Sequence, residues 1–429
     1  MKLGGRTAAA IEVLTEVEGR HRPVSESLKD WGVAHRFAGS GDRAVIGNIV
    51  YDALRWRASS AWMIGDDAPR SVVLAMLSHR WHLGGDSLAA LLAEDTHSPE
   101  ALSPSESERL AQADLATAPR AVRADVPEWA GGHFERVFGE SWIEEGAALA
   151  LRPPLDMRAN RLRSSRDKVV GALAKFGATA TAYSPDGLRI APTSGPGRHP
   201  NVQVEPAFVK GAFEIQDEGS QIAALLVGAR AGERILDLCA GAGGKSLALA
   251  SIMSNKGQVI ATDSDRARLA PIFERVKRAG AHNIEVREAR APLEDLSGRM
   301  DAVVIDAPCT GSGIWRRRPD SKWRLTERAL GNRVGEQKAL LADAVRYVKP
   351  GGRIVYITCS LLPEEDADQV TAFLAANSDF HAVSFADALH AAGTGAPLEK
   401  AALDTGNGIV LSPARTGTDG FFISVLRRA

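Results

Sequence analysis

Three cysteines stand in these 429 residues, and each directly follows an apolar run of strand character. Cys239 follows Arg234-Ile-Leu-Asp-Leu238, Cys309 follows Ala302-Val-Val-Ile-Asp-Ala-Pro308, and Cys359 follows Arg353-Ile-Val-Tyr-Ile-Thr358. In an open α/β sheet, ligands bind in the crevice beyond the carboxyl ends of the strands. The pattern therefore points two or three thiols at one crevice. A thiolate is a nucleophile, so a pair of thiols beside a cofactor is a chemical proposal. Three cysteines make no disulfide framework and match no zinc spacing. A reducing cytoplasm is the expected compartment.

The first cysteine opens a glycine-rich turn, Cys239-Ala-Gly-Ala-Gly-Gly-Lys245. Glycines let a backbone approach a ligand, and the following helix offers unpaired N–H groups. The turn is not the dinucleotide fingerprint, because no glycine lies three residues after Gly243. It is not a P-loop, because position 239 is cysteine. Asp263 ends the next strand, where a carboxylate can hold both hydroxyls of a ribose. It can equally cap the helix that follows. Asp237, inside a strand, is a carboxylate in an apolar run. Together these residues suggest an adenosine-bearing ligand whose binding does not depend on phosphates.

The elements that must position these groups alternate from about residue 211. The expected strands are 233–238, 257–262, 283–287, 301–306 and 352–358. The expected helices are 244–253, 265–280, 326–348 and 364–376. Such alternation predicts a parallel sheet with helices on both faces. Two further strand-like runs, 408–413 and 420–426, predict a C-terminal antiparallel hairpin. Upstream, Asp156 to Ile190 reads as a small α+β module: strand, helix from Asp167 to Phe176, then two strands around Pro185-Asp-Gly187. Residues 1–90 read as helices, with Asp42 as the N-cap of one of them and Leu74–Leu83 as another. Residues 95–127 read as a linker with short helical pieces.

Charge divides along the same lines. The whole chain carries 52 Lys and Arg against 53 Asp and Glu, which excludes wholesale electrostatic capture of nucleic acid. Residues 1–150 are acidic, 15 cations against 22 anions, whereas 151–210 are basic, 10 against 4. The basic segment is a candidate phosphate footprint or simply a solvated surface. No apolar run approaches the ~18 residues of a spanning helix, so no membrane is expected.

Several motifs occur in order: Arg158-Ala-Asn160, Gln216-Asp-Glu-Gly-Ser220, Asp306-Ala-Pro-Cys-Thr-Gly-Ser-Gly313, Arg318-Pro-Asp-Ser-Lys-Trp-Arg324, Tyr356-Ile-Thr-Cys-Ser360 with Glu364-Glu-Asp366, and Asp419-Gly-Phe-Phe422. From about residue 150 onward they resemble the Sun/Fmu (RsmB-like) family of S-adenosylmethionine-dependent RNA cytosine-5 methyltransferases. Residues 6–83, with Gly41-Asp-Arg43 and Tyr51-Asp-Ala-Leu-Arg55, resemble the NusB-like helical domain of that branch.

The resemblance implies a Rossmann-like class I α/β methyltransferase domain at 211–429. It is preceded by a linker and small α+β RNA-binding module at 126–210 and an all-α NusB-like domain at 1–125. It implies Cys359 as nucleophile toward carbon 6 of cytosine, and Cys309 as the group that helps break down the covalent intermediate. Asp306 is the candidate proton donor near ring nitrogen 3. The cofactor S-adenosylmethionine is expected on Cys239, Ala240, Gly241, Ala242, Gly243, Gly244 and Lys245, with Asp263 on the ribose, Arg268 in support, Glu288 on the adenine and Asp306 at the methionine part. Two departures stand out: Glu288 where the family has Asp, and Gly241-Ala242 where it has Ala-Pro. A thiolate needs nearby positive charge, for which Lys245, Lys322 and Arg316 to Arg318 are candidates. RNA contacts are expected from Arg158, Asn160, Arg316, Arg317, Arg318, Lys322 and Trp323, whose alternation of cations and indoles suits phosphates and unpaired bases.

The expected reaction is methyl transfer to C5 of a cytosine in small-subunit (16S) ribosomal RNA, without a metal, by a monomeric cytoplasmic enzyme. Two alternatives stay open: the same reaction on tRNA, and an RNA-binding assembly factor with weakened catalysis. A nucleotide hydrolase is disfavoured by the missing P-loop glycine.

Overall fold

The computed structural model describes residues 1–20, 22–93, 95–393 and 395–429. They form two compact units. The first comprises 1–153 with the segments 192–199 and 314–325; the second comprises 154–191, 200–313 and 326–429.

The first unit is helical. Helices Leu3–Arg20, Val24–Ala34, Ser40–Arg55, Arg57–Ile64 and Pro69–Arg80 bury apolar faces that include Val13, Leu14, Ile46, Ile49, Leu74 and Leu77. The helix expected to start after Asp42 begins two residues before it, at Ser40. Gly39 is the N-cap, and Asp42, in the first turn, accepts the Gly39 N–H at 3.2 Å. The helix expected at 74–83 runs over Pro69–Arg80, because proline suits a first helical turn. The 95–127 stretch holds short helices at Pro104–Gln112 and Arg120–Arg123.

The second unit contains two sheets. The smaller is antiparallel, in the order β2-β3-β1-β4, from β1 (Leu155–Ala159), β2 (Thr179–Ala180), β3 (Gly187–Ile190) and β4 (Phe213–Ile215). The helix Arg166–Ala172 covers one face, closing a core of Met157, Val169, Leu173, Leu188 and Phe213.

The larger sheet holds, among the described residues, β5 (Arg234–Asp237), β6 (Gln258–Ala261), β7 (Ile284–Val286), β8 (Met300–Asp306), β9 (Val348–Thr358), β10 (Phe380–Ala382), β11 (Leu403–Asp404), β12 (Ile409–Leu411) and β13 (Phe421–Arg428). Its order is β11-β12-β13-β9-β8-β5-β6-β7, with β10 also on β13. Pairings from β9 through β7 are parallel, and β13 runs antiparallel to β9. β5 and most of β8 and β9 are covered on both faces, as their unbroken apolar runs require. The direction of chain progression reverses between β5 and β8, which opens a crevice at their carboxyl ends.

The expected parallel sheet and C-terminal antiparallel strands are both present. The helix expected at 265–280 is two helices, Arg266–Leu269 and Ile272–Ala279, parted at Pro271, which lacks the N–H a continuous helix needs. Strands β10 and β11, three and two residues long, were too short to leave a periodic signal.

One glycine fixes how the first βα turn meets the next layer. Gly243 has φ +82°, and a Cβ there would stand 2.4 Å from Ile272 Cγ1. Gly243→Ala combines a left-handed penalty with a core clash. It is expected to destabilise the protein by roughly 2–4 kcal/mol, read as a lowered thermal midpoint.

Candidate active site

Cys309 leaves the tip of β8 and Cys359 the tip of β9. These strands are neighbours, with Ile305 opposite Tyr356 and Asp306 opposite Ile357. Their sulfurs come to 3.3 Å. The Cys309 loop closes back on β9 through Gly313 N–H to the Cys359 carbonyl, 3.0 Å. Ser312 and Ser360 hydroxyls meet at 3.0 Å. The Asp419-Gly-Phe-Phe422 run supports the loop from the other side. Gly420 N–H donates to Gly313 O at 2.8 Å, and a Cβ on Gly313 would lie 2.3 Å from Gly420 O. Only two facing glycines permit that approach.

Electrostatics couples the two thiols. Cys309 is held well above the ordinary thiol range, first by its hydrogen bond to Cys359, then by burial and by the charge of Cys359. Two thiolates at that spacing would repel by on the order of 5 kcal/mol at an effective dielectric of about 20. The pair therefore keeps a proton between its two sulfurs. Cys239, at the end of β5, is pushed up by burial and by the carboxylates of Asp237, Asp306 and Asp263. It is a neutral thiol rather than a nucleophile.

Around the glycine turn, Lys245 is buried and its ammonium meets Asp306 at 2.7 Å. The same ammonium lies 5.3 Å from the centre of the Phe421 ring. The half-exposed Asp306 faces the crevice side of this pair. Lys245 and Asp306 offer one cation and one carboxylate, which suits the zwitterion of an amino acid. Asp237 binds the Ser246 hydroxyl at 2.6 Å, and burial pushes its pKa up to about 7. It ties the strand tip to the helix Gly244–Ile252.

The turn is also clamped from two flanks. Asp263, 3% exposed, accepts Gly241 N–H at 2.9 Å and Asp265 N–H at 2.9 Å. The helix-capping role considered for Asp263 belongs to Asp265, which accepts from Ala267 and Arg268. Arg268 lies beside the turn: a Cβ on Gly241 would be 3.8 Å from its guanidinium and 3.9 Å from Asp263. Arg275, held by Glu214 at 3.0 Å, donates to the Ala242 carbonyl at 2.7 Å. Periodicity gave no hint of that role.

A groove of about 770 Å³ opens just past the tips of β6 and β7, lined by Ser264, Asp265, Arg266, Leu269, Phe273, Glu288 and Arg290. Glu288 is exposed there. An open groove with the acceptor Glu288 and the aromatic ring of Phe273 fits an adenine, and the Lys245–Asp306 pair fits the amino-acid end of S-adenosylmethionine.

The expected RNA contacts need correction. Arg158 and Asn160 are buried. Arg158 donates to Gln216 at 2.7 Å, and Asn160 to the carbonyls of Gly211 and Ala279, both at 2.9 Å. Both are internal ties, because a buried cation or amide needs a fixed acceptor. Exposed cations follow immediately, at Arg161, Arg163 and Lys168.

In the helical unit, Arg316 is buried, and its carbonyl accepts from Arg55 at 2.8 Å. Lys322 is 1% exposed and donates to the carbonyls of Arg55 at 2.9 Å and Asp125 at 2.6 Å. Burial draws its pKa down to about 8. Trp323 is half-buried and donates to Leu54 O at 2.7 Å. Lys322 is therefore an anchor of segment 314–325 rather than a phosphate contact or a source of charge for a thiol. Arg317 is half-buried, and Arg318 is exposed.

No helix among the described residues is long and apolar enough to cross a membrane.

With this geometry in hand, comparison with known proteins is specific. A family model described as 16S rRNA methyltransferase RsmB/F matches residues 224–427. Another, for the RsmF/B-like ferredoxin-like domain, matches 126–194. The chain is 34% identical over 272 residues to ribosomal RNA small subunit methyltransferase B of Klebsiella pneumoniae subsp. pneumoniae, covering 62% of this chain and 60% of that protein. It is 31% identical over 313 residues to the probable ribosomal RNA small subunit methyltransferase B of Synechocystis sp., covering 71% and 67%. The match thus spans about 60% of the length of the first of these relatives. The crystal structure of PH0851 superposes with a TM-score of 0.71 at 23% identity, covering 100% of both chains, a likeness of fold.

Proposed function

This chain belongs to the RsmB/F family of 16S rRNA methyltransferases, and on that premise we propose that it methylates C5 of a cytosine in small-subunit ribosomal RNA. The observation that carries the reading is the pair of sulfurs 3.3 Å apart at the tips of neighbouring strands. The organisation proposed is a helical NusB-like domain at 1–125, an RNA-binding module at 126–210 and a methyltransferase domain at 211–429. It is an enzyme of the cytoplasm, acting as a monomer.

Carbon 5 of cytosine is a poor nucleophile. The Cys359 thiolate adds to C6, and the C5–C6 π pair moves to C5. S-adenosylmethionine, when bound across the glycine turn, Asp263 and Glu288, supplies the electrophilic methyl group. Asp306 passes a proton from the Lys245 ammonium it touches at 2.7 Å to ring nitrogen 3 as charge builds there, and takes it back when the S–C6 bond breaks. Loss of the C5 proton then restores the double bond, and the S–C6 bond breaks to return the Cys359 thiolate.

The raised pKa of Cys309 explains why that base acts late. Its largest cause is the hydrogen bond to Cys359. Once Cys359 is bonded to C6 it carries no charge, so both the bond and the repulsion disappear. Cys309 then gives its proton to solvent water, and its thiolate takes the one on C5.

The RNA is gathered by the exposed cations Arg161, Arg163 and Lys168 of the basic segment. The target base must be unpaired, because a stacked duplex shields C6. Methyl-labelled S-adenosylmethionine with separated RNA fractions tests the reading. Label is expected in small-subunit rRNA as 5-methylcytosine. Label confined to tRNA would end the ribosomal assignment, and no label in any fraction would end the enzymatic one.

A further inference from the structure

Glu365 is fully buried, six residues beyond Cys359, and carries no role in the reaction above. Its carboxylate accepts Thr310 N–H at 2.8 Å, the Thr310 hydroxyl at 2.5 Å and the Gln337 amide at 2.9 Å. Its carbonyl accepts the Tyr356 hydroxyl at 2.6 Å. Gln337, also buried, donates to Pro308 O at 3.0 Å as well. Both flanks of Cys309, Pro308 and Thr310, are thus held by one carboxylate–carboxamide pair.

The two sulfurs depend on this pair unequally. Cys359 directly follows β9, whose ladder runs to Thr358 on β13. Cys309 sits in a loop that makes its last bond to β9 at Ala307 and returns to the segment after β9 at Ser312 and Gly313. Between those ends Glu365 and Gln337 do the holding. A buried carboxylate given three donors is rigid, and removing one acceptor leaves a buried donor unpaired.

We propose that Glu365 is a positioning residue that fixes the Cys309 sulfur against Cys359, and so governs release of the RNA adduct rather than its formation. This rests on the reading under Proposed function for its kinetic consequence, though not for its geometry. Glu365→Gln keeps the size but turns one acceptor into a donor facing Thr310 or the Gln337 amide.

Two measurements separate the geometry from the chemistry. The first uses diamide on the protein alone. Two thiols become one disulfide as diamide takes up two electrons and two protons. Disulfide between Cys309 and Cys359, identified by peptide mass, is expected to form at least about tenfold more slowly in Glu365→Gln than in the unmodified protein. The second is single-turnover methylation. The Cys359–RNA adduct is expected to form within about threefold of the normal rate and to decay about tenfold more slowly.

An undiminished rate of disulfide formation overturns the proposal, as does an adduct that decays at the normal rate. A protein that methylates nothing before substitution defeats the functional reading alone, and the diamide rates still decide the positioning. Should Glu365→Gln fail to melt cooperatively, Thr310→Val removes only the hydroxyl donor. It is expected to move both rates the same way by about threefold, and no change in that variant also overturns the proposal.

Discussion

Cys359→Ser is expected to lower turnover by about 10⁴-fold or more, to the limit of detection. A hydroxyl at neutral pH is almost wholly un-ionised and is a far poorer nucleophile than a thiolate, so C6 is not attacked and C5 is not activated. Ser is close in size to Cys, and position 359 is only half-buried, so the fold should persist with a near-normal thermal midpoint. Donor binding is also expected to persist, since the glycine turn, Asp263 and Glu288 are untouched. Labelled methyl incorporation into RNA is the measurement. Normal rates in this variant would reject the nucleophile assignment outright.

Cys309→Ser should fail differently. The nucleophile remains, so the adduct forms and the methyl group is transferred. The group that takes the C5 proton is gone, so the S–C6 bond cannot break. A covalent protein–RNA species is expected to accumulate, seen as a slow band on a denaturing gel and labelled by the donated methyl. Multiple turnover is expected to fall by about 10²–10³-fold, within the range for loss of a general base. The double variant should show no adduct. If the adduct appears only when Cys359 is the residue replaced, the two roles are exchanged. Cys359 is expected to attack first because its motif, Tyr356-Ile-Thr-Cys-Ser360, is the one that resembles the family's nucleophile.

Both outcomes turn on a distance that no local pattern contains. The residues themselves were legible. Each cysteine follows an apolar run, and such runs with intervening helical periods imply strand tips on one edge of a parallel sheet. Pro271 shows the limit of periodicity: the apolar spacing continues through it, but the missing N–H divides the helix. Glu365 was visible in Glu364-Glu-Asp366, yet nothing local told that Glu365 and Asp366 are buried while Glu364 is half-buried. Gln337 and Arg275 left no signal, since each is one polar residue on a helix with many.

The basic residues make the same point. Arg158, Arg316 and Lys322 read as solvent-facing cations because most are. Arg158 lies inside because Gln216, 58 positions away, supplies an acceptor. Lys322 lies inside because the Asp125 carbonyl, 197 positions away, does the same. A charge is buried only where distant partners converge on it, and convergence is a property of the folded chain.

The amino-acid order alone determined the sheet type, the glycine turn, and the presence of two thiols at strand ends, because periodicity and backbone preference act within a few residues. Tertiary structure decided that the thiols meet at 3.3 Å, although 50 residues separate them. The reason is the parallel register of β8 on β9: long-range pairing sets which strand tips are neighbours, and proximity sets the charge each group can hold.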